Sequence, residues 1–214
     1  MTGALVTLHY GDYARLAEIS WTSNKLLYAN RWRYDAIAKT DNFDIKNPGF
    51  AKIALMLEVA NQQKHDWLYW SGTDLMITNF TIPITEFLYP NRDITISIDF
   101  NHINADSFVI RNTDIARKWL STILDLGPKY MTHHWYEQQA MIDIYNEWRD
   151  HIQIVPQRFL NSYQLDKWTA PGSEIDQTGC RGIWCKGDFA LHFCNRPNDY
   201  RLERMTHYLT QVIV

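Results

Sequence analysis

The sequence predicts an α/β protein with a mostly parallel central sheet flanked by helices. Three observations carry this. Apolar runs and helix-period stretches alternate from Ala4 to Ile77, the pattern of parallel strands joined by right-handed crossovers. Trp67-Leu68-Tyr69-Trp70 is an unbroken apolar run ending in Ser71-Gly72-Thr73-Asp74, as expected of a strand buried on both faces. Beyond Asp74 the pattern changes to period two in Ile94–Phe100, which signals an antiparallel insertion and a half-exposed strand.

Each element follows from local signals. Ala4–Leu8 is the first strand and His9-Tyr10-Gly11-Asp12 the loop after it. Leu16, Ile19, Leu26, Leu27 and Ala29 recur at helical spacing from Tyr13 to about Arg33. Trp21-Thr22-Ser23-Asn24 interrupts that stretch, with Ser23 or Asn24 capping a second helix. Tyr34–Ala38 is a second strand, Thr40–Pro48 a polar loop and Phe50–Ala60 an amphipathic helix. Ser107–Arg111 is a strand. Thr113–Leu126 is a helix capped by Thr113 or Asn112 and stopped by Gly127-Pro128. Trp135–Trp148 is a helix, Ile152–Val155 a short strand, and Asn161–Gly187 a long loop of the kind that often shapes a binding site. Phe189–Phe193 is a last strand and Tyr200–Val214 a closing helix. The 214 residues suit one domain over 1–214.

Composition narrows the class. Hydrophobic residues at 46% and charged residues at 21% are ordinary for a soluble globular protein. A net charge of −3 offers no basic stripe for nucleic acid. Nine Trp and twelve Tyr supply core mass and surfaces that stack bases or sugar rings. Three cysteines point to a reducing compartment without a disulfide framework. Met1–Tyr10 lacks a basic segment followed by an apolar one, and no apolar run is long enough to cross a bilayer. The expectation is a cytoplasmic protein with no transmembrane segment.

Ligands of α/β sheets bind beyond the carboxyl ends of the strands. Asp74 is placed there, where a carboxylate can hold a divalent cation and the cation a diphosphate; the alternative is a turn or helix cap. His192 is a second candidate ligand, or else a hydrogen-bonded core residue. The loop from Thr7 to Gly11 is a candidate nucleotide edge, with Tyr10 stacking a pyrimidine or a sugar ring. Glu137 and Gln138 open a helix beside an aromatic cluster and suit sugar hydroxyls, or else serve the helix dipole. Cys180, Cys185 and Cys194 with His192 have the loose spacing of a Cys3His zinc site. No nucleophile elbow, glycine-rich dinucleotide motif or P-loop is present in the sequence.

Five segments, in this order, carry a resemblance. They are Pro48-Gly49-Phe50-Ala51-Lys52, Trp67–Met76, Ser107–Asn112, Glu137–Met141 and Gly187–Phe193. The chain resembles the retaining galactosyl, mannosyl and xylosyl transferases of glycosyltransferase family 34, of GT-A fold, from about Val6 to Arg196. The resemblance implies transfer of a sugar from a nucleotide sugar, a UDP-sugar by family habit with guanine as the alternative base, to a glycan or glycoprotein acceptor. It also implies Mn2+ or Mg2+. By position, Asp74 matches the second carboxylate of the family's Asp-x-Asp motif and His192 the histidine that completes the metal site. Gly72 and Thr73 fall in the same turn. Lys52 matches a lysine near the donor, and Asp106-Ser107 and Glu137-Gln138 match segments around the donor sugar and reaction centre. Thr7, Leu8 and His9 match the nucleotide edge. Lys52 or Arg196 is expected to add positive charge at the leaving group. Retention implies front-face attack with Gln138 or Glu137 orienting the sugar, or a covalent step through Glu137. One departure stands out: Gly72 replaces the family's first aspartate. That leaves open a non-catalytic nucleotide-sugar or carbohydrate-binding module. A compact member without an anchor suits a bacterial or large-virus origin, acting in the host cytoplasm on a capsid glycan if viral.

Overall fold

A computed structural model describes residues 1–40 and 44–214; positions 41–43 of the expected polar loop lie outside the described residues. The strands are β1 (Gly3–Leu8), β2 (Asp35–Lys39), β3 (Trp67–Ser71), β4 (Leu75–Ile77), β5 (Ile94–Ile98), β6 (Ile103–Arg111), β7 (Ile152–Pro156), β8 (Ser162–Tyr163) and β9 (Ala190–His192). The helices are α1 (Leu26–Trp32), α2 (Pro48–Asn61), α3 (Asp114–Asp125), α4 (Gly127–Tyr130), α5 (Tyr136–Trp148), α6 (Gln157–Leu160) and α7 (Asn198–Leu209). The central sheet has the order β2-β1-β3-β6-β5-β7, and β4-β9-β8 form a smaller sheet. In the central sheet pairing is parallel except where β6 meets β3 and β5, so β6 is its reversed strand. The expected mostly parallel sheet with one antiparallel insertion is what forms.

Strand periodicity sorts the core. Leu68 and Trp70 of β3 face one side, where Phe50, Ile53 and Met56 of α2 pack with Trp119 and Leu120 of α3 and Met141 of α5. Trp67 and Tyr69, one residue out of phase, face the other side with Leu5, Tyr28, Val109 and Phe189. Alpha-helix α2 begins where Asn47 Oδ1 accepts from Gly49 N and Phe50 N, with Pro48 in the first turn. In α3 the cap is Thr113, whose hydroxyl accepts from Ala116 N and donates to Asp93 Oδ1 at 2.6 Å. Asn112 instead donates to the carbonyls of Ala60 and His65.

Three expectations change. Strand β5 is buried from Ile94 to Ser97 rather than half-exposed; it lies between β6 and β7, and its polar Thr95 hydroxyl is satisfied by Phe87 O at 2.7 Å. The stretch before α1 is not capped at Ser23 or Asn24. A 3-10 turn (Gly11–Leu16) leads into a π-helical segment (Glu18–Lys25) that continues into α1. The wider π turn buries the consecutive residues Asn24 and Lys25, and Asn24 bonds both N and O of Ile77. Helix α3 ends at Asp125, just before Gly127-Pro128 as expected, and the pair then opens the single turn α4. The closing helix stops at Leu209, and Ile213 pairs with Asn79. No described helix is long and apolar enough to cross a membrane.

Removing the α3 cap tests this account. Thr113→Ala should cost about 1 kcal/mol of stability, read as a lower urea midpoint with an unchanged slope. Binding at the cleft described below should not move.

Candidate active site

The carboxyl ends of β1 and β3 open onto a cleft. The start of β6, the start of α5 and the end of β9 close it. Leu8, Tyr10, Lys52, Gly72, Thr73, Asp74, Asp106, Glu137, Gln138 and His192 all line it. Residues spread over nearly the whole chain thus converge on one concave surface.

Register explains the convergence. In the smaller sheet Leu75 pairs with His192, and Phe193 N donates to Asp74 O at 2.9 Å. This pairing brings β9 to the end of β3 and sets His192 Nε2 3.4 Å from Asp74 Oδ1. The same nitrogen is 3.1 Å from Asp106 Oδ2. Asp74, Asp106 and His192 offer ligand atoms that all lie within 4.8 Å of one another. On its other side His192 Nδ1 meets Asn161 Oδ1 at 2.7 Å. That contact fixes Nδ1 as the donor and aims Nε2 at the carboxylates, as in many histidine metal ligands. Two carboxylate oxygens and one imidazole nitrogen, with open cleft beside them, fit a six-coordinate Mn2+ or Mg2+.

Cations surround the cluster. Lys52 Nζ is 2.6 Å from Glu137 Oε1, 3.6 Å from Asp106 Oδ1 and 2.9 Å from Ala105 O. Burial works against its charge, but Glu137 and Asp106 more than compensate and its pKa rises. Arg201 Nη2 is 2.7 Å from Asp74 Oδ2, with its guanidinium over the Tyr13 ring. Lys25 is fully buried and donates to Gly72 O and Ser20 Oγ; burial pulls its pKa down to about 7. For His192, burial lowers the pKa, but the Asp74 charge and the hydrogen bond to Asp106 carry it well above its usual value. The Asp106 carboxyl is held far below the usual range despite burial, by the His192 hydrogen bond and the Lys52 charge.

Not every predicted residue reaches the cleft. Thr7 is buried and donates to Ser71 O at 2.7 Å. His9 is buried with Nδ1 3.2 Å from Thr73 Oγ1, which in turn donates to Leu8 O. Burial takes the His9 pKa down to about 4. Thr7 and His9 therefore brace the turn at Thr73 from behind. Ser107 points to the opposite face, against the Tyr69 hydroxyl at 3.0 Å. Arg196 forms a two-pronged ion pair with Asp166, and Arg201 occupies the cleft instead. Tyr10 lines the cleft with its hydroxyl tied to Lys46 O. Gln138 accepts from Ala105 N at 3.1 Å, which orients its amide. Among the described residues the three cysteines form no cluster with His192; they are free thiols, with Cys180 exposed. Sequence reasoning missed Arg201, Asn161 and Lys25. Only Arg201 carried a signal, as a charged residue on an inward position of α7.

A family model of the galactosyl transferase GMA12/MNN10 family, glycosyltransferase family 34, matches residues 89–200. That is more than half of the chain. The chain belongs to this family. A relative from Schizosaccharomyces pombe, an alpha-1,2-galactosyltransferase, is 35% identical over 140 residues, 59% of this chain. The chain spans 32% of that relative's length. Among solved structures, a glycosyltransferase involved in the glycosylation of the major capsid of PBCV-1 superposes with a TM-score of 0.77 at 15% identity. It covers 97% of this chain and 100% of its own. The galactosyltransferase LgtC, solved with donor and acceptor sugar analogues, superposes with a TM-score of 0.58 at 11% identity, covering 99% and 96%. The family 34 chain thus has the GT-A fold, and the segment carrying Asp74 lies outside the matched family region.

Two measurements follow from this geometry. Divalent cation binding requires His192 Nε2 without its proton, and Asp74 and Asp106 raise the pKa of that imidazole well above its usual value. Mn2+ affinity should therefore climb as pH rises toward that pKa. Calorimetry in buffers of different ionisation enthalpy should register proton release. Arg196→Ala should cost about 1–2 kcal/mol in a denaturation experiment by removing the charged donors from half-buried Asp166, which keeps Tyr200 and Trp168 as partners, with Mn2+ and nucleotide affinity unchanged. A large loss of nucleotide affinity would return Arg196 to the site.

Proposed function

We propose that the protein is a metal-dependent, retaining glycosyltransferase that moves a sugar from a nucleoside diphosphate sugar to a glycan hydroxyl. The observation that carries this reading is the Asp74, Asp106 and His192 cluster at the strand ends. A UDP-sugar is the donor class proposed. The galactosyltransferase relative supports UDP-galactose as the first candidate, and the capsid glycosyltransferase fold supports a glycoprotein glycan as acceptor. The cytoplasm is the compartment proposed, the host's if the source is viral.

The chemical demand is to stabilise a departing diphosphate while the anomeric carbon takes on positive charge. A bound divalent cation supplies Lewis acidity and neutralises charge on the leaving diphosphate. Asp74 and His192 hold their ligand atoms toward the space it would fill. Arg201 can exchange its contact with Asp74 for a phosphate oxygen, adding a charge-assisted donor. Tyr10 offers a ring at the nucleotide end of the cleft. Gln138 has its carbonyl fixed by Ala105 N, so its amide nitrogen is the donor left for a sugar hydroxyl or ring oxygen. Glu137 is 8% exposed in its side chain and bonded to Lys52. That engagement favours an orienting and charge-setting role over nucleophilic attack, and supports front-face transfer with retention. The carboxylates near the reaction centre favour the positive charge that develops on the sugar.

The test is a panel of UDP- and GDP-sugars assayed with Mn2+, with Mg2+ and with chelator, followed by NMR of the product anomer. Metal-dependent release of one nucleotide with retained configuration is expected. Asp74→Ala should lower kcat/KM by about a hundredfold or more. Nucleotide-sugar binding without any turnover would establish the binding-module reading instead. Inverted product would overturn the retaining assignment.

A further inference from the structure

Position 72, where the family's first metal-binding aspartate is expected, is glycine, yet the space of its side chain is filled. Strands β3 and β6 run antiparallel with Trp70 opposite Phe108 and Ser71 opposite Ser107. The next step sets Gly72 opposite Asp106, and Gly72 N donates to Asp106 O at 2.9 Å. Directly opposed residues of such a ladder project their side chains from the same face, a few ångströms apart. With no side chain on Gly72, the Asp106 carboxylate leans across the ladder. A Cβ placed on Gly72 would stand 2.1 Å from Asp106 Oδ2 and 2.4 Å from its Cγ. The carboxylate thus sits where a residue 72 side chain would begin.

We propose that Asp106 is the carboxylate that Gly72 lacks, relocated across the β3–β6 ladder to the same corner of a divalent-cation site. Positions 72 and 106 then act as one unit. One must carry the carboxylate and the other must be glycine, because both side chains cannot share the volume. From its place over Gly72, Asp106 reaches the cluster through Oδ2, 3.1 Å from His192 Nε2, while Oδ1 faces Lys52 at 3.6 Å. Two carboxylates and one imidazole are preserved, so the charge offered to Mn2+ or Mg2+ equals that of an Asp-x-Asp site with its histidine. On this account Gly72 is a requirement of the site and carries no evidence of lost function. It also reassigns Asp106 from lining the donor sugar to holding the ion.

The inference rests on the cation of the proposed function but is tested by Mn2+ alone. Wild type, Asp106→Asn, Asp106→Gly, Gly72→Asp and the exchanged double variant Gly72→Asp/Asp106→Gly are titrated with Mn2+. Electron paramagnetic resonance reports the free ion, first without and then with UDP. Thermal unfolding checks that each variant is folded. Asp106→Asn and Asp106→Gly should each weaken Mn2+ binding by about tenfold or more. Gly72→Asp should also weaken it, because the second side chain collides with Asp106. The double variant should recover to within about threefold of wild type, a coupling that two independent lesions cannot produce. Should Gly72→Asp fail to fold alone, Gly72→Ala serves in its place and should displace Asp106 and weaken Mn2+. Unchanged Mn2+ affinity in Asp106→Asn overturns the inference. So does a folded double variant no better than Asp106→Gly, or a wild type that binds no Mn2+ under either condition. Because the readout is ion binding, absence of sugar transfer by the wild type would remove the proposed function and leave this result standing.

Discussion

The antiparallel pairing of β6 with β3 is the constraint on which the site depends. Had β6 run parallel, its start would lie at the opposite edge of the sheet from Gly72 and Asp74. The reversal brings Asn104, Ala105 and Asp106 to the edge where β1 and β3 end. It also makes Asp106 the cross-strand partner of Gly72, so that a backbone hydrogen bond sets the position of its carboxylate in the cleft. Lys52 from α2 then reaches both Ala105 O and Asp106 Oδ1, tying the helix layer to the same strand end.

Charge balance accounts for the way the cluster is held together. Asp74, Asp106 and Glu137 face His192, Lys52 and Arg201 across contacts of 2.6 to 3.6 Å. Buried carboxylates at such separations repel one another unless cations intervene. The imidazole of His192 takes the central place between Asp74 and Asp106, and both carboxylates favour its protonated form. It is bonded to the same oxygens that would coordinate a divalent ion, so the proton and the ion compete for one position. Lys25, driven by the π-helical turn beneath Gly72, adds a buried amine whose charge burial weakens. Wide helical turns of this kind are frequent at functional sites.

The smaller sheet has a positional role. Strands β4, β9 and β8 are two or three residues long, too short to add much stability on their own. Their pairing places His192 beside Asp74 and Tyr163 beside His192. Asn161, one residue before β8, closes the chain of hydrogen bonds behind the imidazole. The long segment expected as irregular loop thus supplies a fixed support to the site through its first residues, while its remainder carries most of the turns.

Sequence alone determined the alternation of β1 to β3 with their helices, the position of Asp74 at a strand end and the candidacy of His192, Glu137 and Gln138. These are properties of local pattern: unbroken apolar runs, helical spacing and turn residues report a residue's own neighbourhood. Sequence could also show that Gly72 stands where a carboxylate was expected, but not that the vacancy was filled. Tertiary structure decided that Asp106 occupies the space, that Arg201 and not Arg196 lies in the cleft, and that Thr7, His9 and Ser107 support it from outside. Those outcomes depend on which strand pairs with which and in what register. Residues 72 and 106 meet because a long-range ladder aligns them, and no periodicity within either segment encodes its partner.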